Sequence, residues 1–125
     1  APIDVCLFAT KETADEDVKD WVQPDLFIVC DQNKIEEKRI IGAPDLVIEI
    51  LSPSTARNDR LIKYNKYEEA GVKEYWIVDP LYETVEVFSL KDNAFHRADV
   101  FLKNDIVTVN IFDNFKIQLS NIFRS

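Results

Sequence analysis

The sequence predicts a domain of the α/β or α+β class, a central sheet with few helices. Three observations lead to that class. Short apolar runs bounded by Pro, Gly, Asp and Asn recur along the chain, as strands do. Only residues 52–71 carry both helical start and stop signals. Apolar and polar residues alternate on either side of Lys91-Asp92-Asn93, the pattern of an antiparallel hairpin. The 125 residues make one domain, and 46% hydrophobic, 11% aromatic and 30% charged residues mark it as globular rather than disordered.

Each element follows in order. "APIDVCLFAT" (1–10) reads as a strand and "KETADEDVKD" (11–20) as an acidic, solvated loop. "WVQPDLFIVC" (21–30) reads as a second strand, with Pro24 near its start because a central proline would break the ladder. Residues 31–42 form a polar connection. "APDLVIEILS" (43–52) is a third strand, apolar enough to be covered on both faces in the middle of a sheet. The helix lies in "SPSTARNDRLIKYNKYEEAG", capped by Ser54 or Thr55 and closed by Gly71 in the left-handed region. "EYWIVDP" is a short buried strand ended by Pro80. The hairpin strands "ETVEVFSL" and "AFHRADVF" follow, then "DIVTVNIF", and "FKIQLSNIF" closes the chain as a strand or short helix.

Charge and composition narrow the function. The net charge is −8, which makes the whole chain a poor non-specific binder of nucleic acid. Its distribution is uneven. Asp4, Glu12, Asp15, Glu16, Asp17 and Asp20 crowd the first twenty residues, whereas Arg57, Arg60, Lys63 and Lys66 stand against Asp59 alone in the helix. A basic helix of that kind can meet a phosphate. No apolar run approaches the roughly 20 residues of a membrane span, and no secretory leader is visible. Cys6 and Cys30 lack metal-binding or disulfide spacing and sit in apolar runs. They are expected to be buried free thiols in a reducing, cytoplasmic setting.

The chemistry gathers around carboxylates in apolar company. Glu49 lies between Val47-Ile48 and Ile50-Leu51, where an ionised carboxylate is costly without compensation. If the second and third strands pair antiparallel, Asp25 and Glu49 meet at one rim of the sheet. Two acids there repel unless a cation lies between them, and a hard ion such as Mg²⁺ suits their oxygens. The chemistry these groups imply is hydrolysis of a phosphodiester by metal-activated water, so Glu49→Ala is expected to abolish metal-dependent cleavage and to leave the domain folded or even more stable. Lys63 on the following helix shares a face with Lys66 and Tyr67 and can orient a water or steady charge on a phosphate.

The strings "VQPDLFIVCD" and "GAPDLVIEILSPST", then Asp59 and Lys63, then "YEEAGVKEYWIVDP", resemble the Uma2 family of the PD-(D/E)xK nuclease superfamily in order and spacing. The resemblance implies a restriction-endonuclease-like core: a mixed sheet flanked by few helices, with C-terminal antiparallel strands. It implies a Mg²⁺- or Mn²⁺-dependent endonuclease acting on DNA, with Asp25, Glu49 and the backbone carbonyl of Ile50 as metal ligands. Where the superfamily places a lysine two residues after the acid, this chain has Leu51; the resemblance implies that Lys63 takes over. Arg57, Arg60, Lys66 and Tyr67 are the expected substrate contacts, with Tyr67 lining the cleft. A further N-terminal helix and strand, normal in the family, is expected to be missing, and a homodimer is the expected assembly. The alternative is a nuclease-like binding or regulatory module without turnover, or a homo-oligomeric interaction domain.

Other polar residues read as structural. Asp45 follows a proline at a strand start, and Ser52 has no histidine near enough in sequence to activate it. His96 is expected at the surface and Tyr75 and Trp76 in the core. The loop 12–20 lacks the glycine-containing pattern of a calcium site.

Overall fold

The computed structural model describes residues 3–54 and 57–123. Its centre is a mixed sheet of five strands: β3 (Leu26–Ile28), β5 (Leu46–Ile50), β6 (Glu74–Asp79), β7 (Thr84–Lys91) and β8 (Ala94–Leu102), adjacent in that order. The helix α1 (Arg57–Ala70) connects β5 to β6, which run parallel; the other neighbours are antiparallel. A second sheet has β1 (Asp4–Cys6) between β2 (Trp21–Val22) and β4 (Arg39–Ile41). A third pairs β9 (Ile106–Thr108) with β10 (Lys116–Gln118), followed by a 3₁₀ turn at Leu119–Asn121.

Alternation along the central strands sorts side chains into two cores. Val47 and Tyr75 face the helix, where they join Tyr67, Val72 and Phe95. Leu46 and Trp76 face the other way, onto Val85, Val87 and the C-terminal residues Val107, Val109, Leu119 and Phe123. This two-sided cover accounts for the continuous apolar run read in β5. A register shift between Val87 and Phe88 in the β7–β8 pairing lets Phe95 enter the first core and Phe101 pack against the second.

The helix and the hairpin follow their local signals. Gly71 takes φ +87 after Ala70, and its amide reaches the Glu68 carbonyl at 3.2 Å. Asp92 and Asn93 both have positive φ, 54 and 65, as a two-residue hairpin turn requires. Of the expected caps, Thr55 lies outside the described residues, and Ser54 stands before the helix with its hydroxyl 3.0 Å from that of Ser52.

Three expectations are corrected. Residues 21–30 are two strands: β2 joins β1 and β3 joins β5, with Gln23-Pro24-Asp25 between them. Pro24 has no amide to continue a ladder, so the break falls there. The connection 31–42 contains β4, which pairs in parallel with β1; a three-residue strand behind a charged run is created by its partner, not by its own pattern. Finally, Cys6 is buried but Cys30 is exposed.

Asp45 is structural, as read. Its carboxylate accepts the Cys30 amide at 2.7 Å and pairs with Lys73 at 3.2 Å, tying β3 to the start of β6. Burial disfavours its ionised form, but the Cys30 amide and Lys73 outweigh that and hold the carboxyl below its ordinary 3.8. A depressed acid stabilises the fold above its unfolded value and loses that contribution as pH falls through its folded value. Asp45→Asn should therefore be less stable than the native chain at neutral pH, the gap closing below pH 3.8. Urea titrations across that range test this, and a gap independent of pH contradicts it.

Candidate active site

The register of β3 on β5 places Leu26 opposite Ile48, so Asp25 and Glu49 are the next facing pair outward. The Asp25 amide donates to Glu49 Oε1 at 3.0 Å, and the Ile50 amide donates to Asp25 Oδ2 at 2.7 Å. These reciprocal bonds fix both acids at one end of the β3–β5 ladder. Asp25 is exposed, whereas Glu49 is 5% exposed.

Glu49 projects toward the helix and meets two donors there. Lys63 Nζ lies 2.8 Å from Glu49 Oε2, and the Tyr67 hydroxyl donates to the same oxygen at 3.1 Å. Residues 63 and 67 are one turn apart, so both arrive from a single helix face. Tyr67 is completely buried, and burial together with the Glu49 charge pushes its hydroxyl far above the ordinary tyrosine value. It therefore remains a donor. Rings of Tyr67 and Tyr75, with centroids 5.0 Å apart, hold it in place.

The carboxylate in the apolar strand is thus compensated by the protein itself. That reverses one expectation: Glu49 is not in an unrelieved repulsion with Asp25, because an amide, a hydroxyl and an ammonium already serve it. Tyr67 is corrected as well. With no exposed surface it does not line the cleft; it positions Glu49.

The basic residues separate into two groups. Lys63 and Lys66 border a cavity of about 370 Å³ with Val22, Ser54, Asp59 and Ile62. Arg57 and Arg60 border a different, shallower depression with Leu61, Tyr64 and Ile77. Lys66 pairs with Asp20 at 3.2 Å, a contact no local pattern in the sequence announces. His96 is exposed, as expected. Among the described residues, no group of three or more His, Cys, Asp and Glu side chains is arranged to hold a metal ion, and no helix is long and apolar enough to cross a membrane.

Residues 8–120 match the model of a family described as "Uma2: Putative restriction endonuclease". The chain belongs to the Uma2 family. The fold of this Uma2 domain is similar to a crystal structure described as "a putative nuclease belonging to DUF820" from Anabaena variabilis ATCC 29413. The TM-score is 0.67 at 23% sequence identity, over 98% of this chain and 65% of that one. This Uma2 chain therefore spans somewhat less than two thirds of that protein's length. No curated protein matches it.

Proposed function

We propose that this Uma2 protein is a divalent-metal-dependent nuclease that hydrolyses DNA phosphodiester bonds at Asp25, Glu49 and Lys63. The observation that supports this reading is the convergence of three elements: β5 supplies Glu49, the entry to β3 supplies Asp25, and α1 supplies an ammonium 2.8 Å from Glu49. Family membership supports it independently.

A hard ion fits the donor set. Glu49 Oε2 is filled by Lys63 and Tyr67, but Glu49 Oε1 and both Asp25 oxygens keep lone pairs beyond the bonds described. Asp25 opens to solvent, from which an ion such as Mg²⁺ keeps several waters. Asp25 and Glu49, with the Ile50 carbonyl, would hold Mg²⁺ or Mn²⁺. When bound, such an ion lowers the pKa of water and offsets charge on a phosphoryl oxygen. The chain's own part is to hold Glu49 in one rotamer through Tyr67, to orient the attacking water through Lys63, and to meet the flanking backbone with Lys66, Arg57 and Arg60. We take the assembly that cuts a duplex to be a homodimer.

The test combines Mn²⁺ binding by calorimetry with cleavage of plasmid DNA. Mn²⁺ should bind at one site lost in Asp25→Ala, and Lys63→Ala should lower cleavage by about 100-fold or more. A chain that neither binds Mn²⁺ nor cleaves DNA supports the second reading, a binding or regulatory module on the nuclease fold. That reading draws on Leu51, which stands where the superfamily places its lysine.

A further inference from the structure

We propose that the cavity beside Lys63 seats one nucleotide next to the scissile phosphate, and that Asp20 occupies its phosphate position in the free protein. The proposal rests on the nuclease reading. At about 370 Å³ the cavity falls within the usual range for small ligands. Its lining is divided. Lys66 provides an ammonium, Val22 and Ile62 provide apolar walls, and Asp59 provides a carboxylate. Ile62 is 51% exposed, an apolar surface open to a sugar or base.

The charges are ordered along the helix. Asp59 and Lys66 are seven residues apart, two turns on one face, which separates them by roughly 10 Å along the axis. That is about the reach of a nucleotide from its phosphate to the edge of its base. The phosphate belongs at the Lys66 end, because Asp59 repels it, and Asp59 accepts from a base amino group or a sugar hydroxyl at the other. Lys63 is already engaged by Glu49, which leaves Lys66 as the cation for this phosphate.

Lys66 has an occupant. Asp20 Oδ1 lies 3.2 Å from its ammonium, where a phosphate oxygen would sit. The two side chains are 33% and 50% exposed, so the pair is solvent-screened and exchangeable rather than a fixed structural bridge. Asp20 has φ +55, in the left-handed region that aspartate enters more readily than most residues, directly before Trp21 and the cavity residue Val22. An incoming nucleotide of a DNA strand exchanges one monoanion on Lys66, the Asp20 carboxylate, for another, the phosphodiester.

Titration of the protein with dAMP and with inorganic phosphate, followed by amide NMR shifts, tests the seat. dAMP should bind more tightly than phosphate, with shifts centred on Val22, Ile62 and Lys66. Asp20→Asn should strengthen dAMP binding by about two- to five-fold and Lys66→Gln should weaken it by a similar factor, the scale of a screened ion pair. Ile62→Ala should weaken dAMP and leave phosphate unchanged. Equal affinity for the two ligands, no binding by either native or Asp20→Asn protein, or dAMP affinity indifferent to both charge variants would overturn the proposal. If dAMP behaves as stated while no form cleaves DNA, the seat stands and the catalytic reading fails. If DNA is cleaved and neither charge variant changes dAMP binding, the seat fails and the catalytic reading stands.

Discussion

Replacing Glu49 by alanine should cost about 1–3 kcal/mol of folding stability, because the buried Tyr67 hydroxyl and the Asp25 amide lose their acceptor. On the proposed nuclease reading, the same change should also abolish cleavage. Against a typical total of about 5–15 kcal/mol the domain still folds, so the two effects can be measured separately. Glu49→Gln is the informative partner. Its carbonyl can keep the Asp25 amide bond, but it presents no charge to Lys63. It should recover at least half of the lost stability and none of the cleavage. Urea midpoints and plasmid cleavage on the three proteins decide the matter. An alanine variant more stable than the native chain would mean that the bonds to Glu49 do not offset its desolvation.

Glu74→Ala should cost about 2–5 kcal/mol of stability, more than Glu49→Ala. Glu74 is 1% exposed and faces the second core, away from the Asp25–Glu49 pair. Its carboxylate accepts from the Trp76 indole and the Ile111 amide, with a further bond from the Asn110 amide. It thereby anchors the segment between β9 and β10 to the central sheet. Truncation leaves these donors without an acceptor and a void beside Trp76. No salt bridge reaches Glu74 among the described residues, and burial pushes its carboxyl above the ordinary 4.5, with the three donors drawing it back only in part.

The sign of the pH effect follows. An acid whose folded value is raised holds a proton in the folded chain at pH where the unfolded chain has released it. Its contribution to stability therefore falls as pH rises from 4.5 to the folded value and is constant beyond. Native minus Glu74→Gln stability should slope downward across that window and flatten above it. A difference that rises with pH would contradict the assignment.

The two acids of the candidate site were legible because they break a local rule. Glu49 stands in an apolar strand, Asp25 begins another, and antiparallel pairing of the two brings them together whatever else surrounds them. Lys63 needed only the helical repeat. Glu74 breaks the same rule at the head of "EYWIVD", so its burial could have been anticipated from the reasoning applied to Glu49. The division of residues 21–30 was half legible, in that Pro24 announces a break but not that the two halves enter different sheets. Strand β4 was not legible, since three residues behind a charged run become a strand only when β1 lies alongside.

By itself the sequence determined the class of fold, the single long helix with its glycine stop, the tight hairpin at Asp92-Asn93, and which acids and lysine to watch. These depend on local backbone preference and on the period of side-chain burial, both written in neighbouring residues. Tertiary structure alone decided that Tyr67 holds Glu49 instead of facing solvent, that Asp20 covers Lys66, and that Arg57 and Arg60 border a separate depression. The reason is that a hydrogen bond or ion pair between distant segments depends on where two backbones come to rest, and no short stretch of sequence encodes that separation.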